Sequence, residues 1–308
     1  MRRRNELTEE EMKIIKKTIS DDEAFDLFFR DCYLRNLRPA TIEYYKNEFH
    51  AAKKFISIPL VECEQKGIEE LILQSKKVMK ITTINTRLRA LRAFYNYLNK
   101  NKLIEKNPMK NIKLLRDRQK TIETLDNKEI EALIRVLRKK KTFIGFRDEV
   151  VLLVFLDTGV RLSELIGIEV DDVRDNKIII RKTKNLFERI VYLSDTTQEQ
   201  LKRYLMIRGY VETNKLFINR DNKELKPHSI QTSFSKYGKE AKISKRVSPH
   251  TFRHTMAKRM IMAGVDAFSL MTILGHSDMT ITKRYVNLWG PDIEQKHKQY
   301  GALKGLKL

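Results

Sequence analysis

Residues 150–156 are almost wholly apolar, and the run ends at Asp157-Thr158-Gly159. A stretch with no polar face that closes on glycine reads as a buried helix, and Arg161 emerges just past its end. Upstream, Asp126 with Glu129 three residues later makes a capping-box pattern, followed by Ile130, Leu133, Ile134 and Leu137 on one helix face. Downstream, 177–181 and 189–193 are rich in Ile and Val and flank a polar stretch holding Lys182 and Lys184, the pattern of a β-hairpin. From about Thr196 helical signals return, punctuated by Pro249, Gly264, Gly275 and Gly290. A second domain over 125–290 is expected, mainly α with a small antiparallel sheet, of α+β type.

The chain ahead of it reads as all helical. Residues 1–20 are a polar, charged extension, and Asp21 and Asp22 then open an apolar face made by Ala24, Phe25, Leu27, Phe28 and Phe29. Pro39 and Thr41 start a second helix, in which Ile42, Tyr45, Phe49, Ala52 and Phe55 recur at threes and fours. A third runs from about Thr83 to Asn99, with Ile84, Leu88, Leu91, Phe94, Tyr95 and Leu98 on one face and Arg87, Arg89 and Arg92 assigned to others. Asn107-Pro108 ends this domain, expected over 21–109. The Lys/Arg-rich stretch that follows has linker composition, placed at 110–124.

With 41% hydrophobic residues, both domains of this 308-residue chain can bury a core of ordinary size. Lys and Arg number 62 against 40 Asp and Glu, a formal charge of +22, which points to a polyanionic partner. Both halves are basic, since 27 basic and 17 acidic residues fall in the first 120. Cys32 and Cys63 stand outside any metal-ligand spacing, which argues against a disulfide scaffold or a zinc site. Glu9, Glu10 and Glu11 follow the basic start where a signal peptide needs an apolar core, and no run reaches membrane-spanning length. A cytoplasmic protein without a membrane partner is expected.

Three fragments could carry chemistry. In Ser248-Pro249-His250-Thr251-Phe252-Arg253-His254 the proline opens a helix that sets His250 and Arg253 one turn apart on the same face, a proton donor beside a fixed cation. Taken alone, such a motif arises by chance and fits an ordinary surface pair, and Thr251 standing where HExxH needs glutamate excludes the zincin reading. Leu274-Gly275-His276 is followed nine residues after the histidine by Tyr285, which by itself reads equally well as a packing tyrosine. In Thr158-Gly159-Val160-Arg161-Leu162-Ser163-Glu164-Leu165, Glu164 lies one turn from Arg161 and can hold its side chain, as in many helix-surface ion pairs.

Together, and in this order, T-G-x-R-x-S-E-L at 158–165, H-x-x-R-H at 250–254, and L-G-H-S followed by T-x-x-Y at 274–285 resemble the tyrosine recombinase or phage integrase family over the whole second domain. The first domain resembles that family's helical core-binding, SAM-like domain, and the resemblance implies that the two domains clamp duplex DNA. It makes Tyr285 the nucleophile, Arg161 and Arg253 the phosphate clamp, and His250 and His276 the supporting hydrogen-bonding residues, with Glu164 in support. The chemistry is coherent. A phenol both attacks and leaves tolerably, and guanidinium forks match the non-bridging oxygens while staying charged. His250 is assigned the tyrosine proton, and His276 a hydrogen bond to the phosphate.

The family's G-K-G-x-K-x-R hairpin lysine protonates the leaving 5′ oxygen. Here both glycines are missing, and counting back five residues from Arg189 selects Lys184, with Lys182 as competitor. The resemblance further implies a 3′-phosphotyrosyl intermediate and no cofactor, in keeping with the lack of a P-loop or carboxylate metal cluster in the sequence. Expected partners are double-stranded DNA with paired half-sites, further copies of the chain as a dimer on each site and a tetramer in synapsis, and an accessory protein as an optional one. The tail 291–308 is expected to join protomers, and Arg87, Arg89 and Arg92 are candidate DNA contacts. A non-catalytic DNA-binding regulator and a relaxing topoisomerase are the competing readings. An assay for covalent protein–DNA adducts separates off the first, and strand exchange between marked duplexes the second.

Overall fold

The computed structural model describes Thr8 and residues 19–117, 122–181, 188–276 and 278–289, with 280 and 281 described in backbone only. The chain divides into two compact units, Met1–Lys120 and Thr121–Leu308.

In the first unit α1 (Asp21–Leu34) starts at a capping box, in which Ser20 and Glu23 each satisfy a backbone N–H of the other. α2 (Pro39–Ala52) has proline at its first position, and α4 (Ile81–Lys100) is the longest helix of the unit. These three bury one aromatic cluster, in which the rings of Phe28, Phe49 and Phe94 lie within 5.6 Å of one another. α3 (Gln65–Val78), which periodicity did not reveal, closes the core with Ile68 and Leu71. A 3-10 turn at Leu60–Glu62 offers the Leu60 carbonyl to the buried Tyr95 hydroxyl at 2.9 Å.

Two expectations change here. Arg87 is buried, pairs with Glu48 at 3.2 Å and lies over the Phe55 ring, so it belongs to the core and is no candidate for a DNA contact. Its spacing from Ile84 and Leu91 puts it on the buried side of α4 after all. The start of the presumed linker is also packed. Met109 and Ile112 are buried, Asn85 exchanges two hydrogen bonds with the Leu115 backbone, and Arg92 donates to the Ile112 carbonyl at 2.6 Å. Arg89 is exposed.

The second unit is organised around α6 (Phe143–Thr158), the helix that contains the apolar run; it packs against α5 (Asn127–Lys139), α8 (Asp195–Arg208) and α10 (Pro249–Met262). Its first turns bury Arg147 and Asp148, which bond to each other, while Tyr237 donates to Asp148 at 2.8 Å. The charges are thus paired within the core rather than left orphaned. α6 ends at Gly159, whose φ of +62° is the left-handed cap that a side chain resists. Past it comes α7 (Leu162–Gly167).

The sheet has three antiparallel strands in the order β1 (Val173–Arg174), β2 (Lys177–Ile180), β3 (Arg189–Tyr192). Ile178 opposes Val191 in register. Ile178, Ile180 and Val191 face the core, and β1 is one strand more than the expected hairpin. α9 (Pro227–Glu240) lies between sheet and α10 in sequence, and α11 (Ala267–Leu274) and α12 (Met279–Trp289) follow α10. These last three pack through Met256, Ala257, Ile261, Leu270, Leu274 and Tyr285.

Candidate active site

The three sequence fragments meet through one side chain. Arg253, in the second turn of α10, donates from Nη1 to the Gly159 carbonyl and from Nη2 to the Leu274 carbonyl at 2.7 Å. Both carbonyls belong to helix C-termini, where the last C=O groups lack intrahelical partners and the helix dipole is negative, so each helix end is a ready acceptor for a cation. Arg161 is held the same way, donating from Nη2 to the Gly275 carbonyl at 3.0 Å and from Nη1 to Glu164 at 2.8 Å. The Arg161 backbone N–H also donates to Glu164 at 2.8 Å.

Glu164 is buried and takes a second guanidinium, that of Arg189 from the start of β3, on both its oxygens at 3.0 and 2.8 Å. Those bonds hold its carboxyl below the usual carboxylate range against the opposing effect of burial. Arg253 is pushed down to about 10 by burial and by the nearby Arg161, and so stays charged at neutral pH. Glu164 offsets one of three guanidinium charges, and the excess that remains suits an anion.

Tyr285 is buried, and its ring lies between partners: Trp289 stacks on it at 5.5 Å, His276 at 6.2 Å, and His254 meets it edge-on at 5.6 Å. Burial raises its pKa, while Arg253, Arg284 and Arg161 work in the opposite direction. The hydroxyl lies 2.7 Å from His254 Nδ1. This is where the structure departs from the sequence reading, which gave the tyrosine proton to His250. His250, four residues earlier on α10, is exposed, and the imidazole on the hydroxyl is His254. The sequence did hold a signal. His254, Ala257 and Ile261 share a helix face by their spacing, and that face packs into the cluster containing Tyr285.

Burial, together with His250 and Arg253, pushes His254 down to about 4, and burial with Arg253 and Arg161 does the same to His276, so both imidazoles are neutral near pH 7. His250 is lowered by desolvation and Arg253. His276 Nδ1 is 2.9 Å from the Thr282 hydroxyl, which leaves Nε2 as the nitrogen that can address a ligand. Lys184 and Lys182 lie outside the described residues, as does the tail 291–308. Among the described residues no group of three His, Cys, Asp or Glu side chains could hold a metal ion, and no helix is long and apolar enough to cross a membrane.

A model of the phage integrase family matches residues 123–289. The tyrosine recombinase XerC of Syntrophus aciditrophicus is 33% identical over 223 residues, spanning 69% of this chain and 71% of its own length. XerC of Thermodesulfovibrio yellowstonii is 28% identical over 263 residues, spanning 80% and 85%. Among solved structures, the Tn1549 transposon integrase in complex with a circular intermediate DNA aligns with a TM-score of 0.73 at 20% identity, over 90% of this chain and 98% of that one. A lambda integrase dimer bound to a COC′ core site aligns with a TM-score of 0.74 at 14% identity, over 91% and 81%.

Proposed function

This chain belongs to the phage integrase family and is a site-specific recombinase that cleaves and religates DNA, and from that premise we propose that it works through a 3′-phosphotyrosyl intermediate on Tyr285. The observation that carries the reading is the span of Arg253, whose two donors reach the Gly159 and Leu274 carbonyls and so tie the segments that bear Arg161 and Tyr285 to α10.

Arg161 and Arg253 grip the non-bridging oxygens of a phosphodiester, and the Tyr285 oxygen attacks phosphorus as the bond to the 5′ oxygen breaks. His254 accepts the phenolic proton. A neutral imidazole is a poor base for a buried phenol, so the proton moves only as the new P–O bond drains charge from the oxygen. The incoming phosphate anion helps by raising the basicity of His254. His276 donates from Nε2 to the phosphate, since its Nδ1 is engaged by Thr282. Lys184 protonates the leaving 5′ oxygen. Religation reverses each step, with a 5′ hydroxyl of the partner duplex as nucleophile and the phenol as leaving group, so phosphodiester energy is conserved in the tyrosyl link.

Exchange between two duplexes calls for a dimer on each site and a tetramer in synapsis, with the tail 291–308 joining protomers. The charge of +22 suits such wrapping of DNA, and lambda integrase itself, whose fold aligns with this chain's at a TM-score of 0.74, is known as a tetramer bound to a Holliday junction. The test is a nicked duplex that traps cleavage. Wild-type protein is expected to form a covalent adduct, and Tyr285→Phe to bind the same DNA and form none; an adduct at wild-type level on the variant removes Tyr285 from the role.

A further inference from the structure

Arg189 entered the sequence argument only as the residue from which Lys184 is counted. In the structure it is the principal partner of Glu164, and through it the neighbour of Arg161. Its guanidinium forks onto both Glu164 oxygens, at 3.0 and 2.8 Å. Arg161 reaches only Oε1 with its side chain, at 2.8 Å, and spends its other terminal nitrogen on the Gly275 carbonyl. The exposures follow that division: the side chain of Glu164 is 1% exposed, that of Arg189 11%, and that of Arg161 25%. Arg189 also donates from Nε to the Ile273 carbonyl at 3.3 Å, and it packs so closely on Gly275 that a Cβ there would lie 2.9 Å from Nη1. The notch at the end of α11 is built for a guanidinium.

A buried carboxylate facing one arginine draws that arginine into a bidentate pair. With Arg189 occupying both oxygens, Glu164 can orient Arg161 but cannot engulf it. From this division, and resting on the recombinase reading above, we infer that Arg189 is a positioning residue: by taking up most of the Glu164 carboxylate, it keeps the Arg161 guanidinium available to a DNA phosphate. Lysine cannot substitute fully, because an ammonium is a point donor without the fork that covers two oxygens.

The experiment measures half-site DNA affinity and the rate of adduct formation on a nicked duplex at saturating protein, for wild type, Arg189→Met and Arg189→Met/Glu164→Gln. Arg189→Met is expected to bind DNA within about threefold of wild type and to form adduct at least tenfold more slowly. Adding Glu164→Gln is expected to recover most of that loss, because an uncharged amide no longer pulls Arg161 inward. A merely structural arginine predicts the reverse, since the second substitution would add damage. If Arg189→Met is too unstable to assay, Arg189→Lys reads the same effect, slower cleavage recovered by Glu164→Gln. A double variant no faster than the single one overturns the inference. So does full recovery of Arg189→Met on a substrate with sulfur at the bridging 5′ position, because Arg189 would then act through the leaving-group acid. Wild-type protein that forms no adduct overturns the recombinase reading and this inference with it, whereas adduct at equal rates on wild type and Arg189→Met overturns this inference alone.

Discussion

Gly159→Ala probes whether the fold and the site are coupled where the structure joins them. Gly159 sits at φ +62°, and a left-handed backbone costs an alanine about 1–2 kcal/mol. The added methyl would lie 2.9 Å from Leu274 Cδ2 and 3.0 Å from Met256 Sδ, both in the packed cluster that includes Tyr285. Forcing a methyl into such a site costs roughly another 1–3 kcal/mol. The sum, about 2–5 kcal/mol, lowers the melting temperature of a unit this size by roughly 5–20 °C. The same displacement separates the end of α6 from Leu274, the two places on which Arg253 is strung. Losing one hydrogen bond to a guanidinium, about 1.5–3 kcal/mol, slows cleavage roughly tenfold or more if the bond matters most in the transition state. Gly209→Ala is the control for strain away from the site: φ is +61° with ψ −164° there, a conformation that essentially only glycine adopts, and nothing lies within 4 Å of the added methyl. It is expected to lose stability as well, but its cleavage rate below the melting range is expected to match wild type. Thermal melts and adduct assays on the two variants decide the matter. The coupling fails if Gly159→Ala cleaves at the wild-type rate below its melting range.

His254 and His276, both pushed down to about 4, favour the folded state while neutral. The unfolded chain takes up their protons first as pH falls below about 6.5, so stability is full above that pH and is lost towards pH 4, by up to a few kcal/mol for the pair. Urea midpoints between pH 7.5 and 4.5 measure it, and a His254→Gln/His276→Gln protein with an unchanged slope would refute the assignment. Lys184→Ala is expected to cleave poorly on ordinary DNA and to recover on a bridging 5′-sulfur substrate, whose leaving group needs no acid; recovery of Lys182→Ala instead transfers the role. DNA affinity is expected to fall by about 10³-fold between roughly 50 and 200 mM salt if six or more phosphates are contacted, and a flat titration would contradict a charge-driven clamp.

What the sequence disclosed follows physical lines. Helices with a strong start signal were legible: Ser20 with Glu23 and Asp126 with Glu129 form the boxes that open α1 and α5, and Pro39 and Pro249 occupy first turns. α3 escaped notice because Glu64 makes no side-chain cap and the buried set is only Ile68, Leu71 and Ser75. β1 is two residues long, too short for any alternation to register. Arg87 was misassigned by residue type, although its spacing put it among buried neighbours. Within the site, the candidate residues were legible only as an ordered set that resembles a family, since each fragment taken alone also fits an ordinary structural role.

The mutual geometry of the site was not legible, and the reason lies in what holds it. The anchors of Arg161 and Arg253 are mostly carbonyls, those of Gly159, Leu274 and Gly275, and a carbonyl leaves no mark in a side-chain pattern. What does leave a mark is the glycine that lets each helix end there, which is why TG and LG stand in the first and third fragments. On this view those glycines mark where unpaired helix-end carbonyls meet guanidiniums, and Gly275 is further constrained by the approach of Arg189. The same logic explains His254. Its partner is 31 residues away in sequence, and no local spacing can announce a contact made by packing one helix across another. A helix-face argument could have found it, because a histidine placed between Arg253 and the buried Ala257 has to turn either to solvent or to the tyrosine's cluster. Its depressed basicity follows from the second choice.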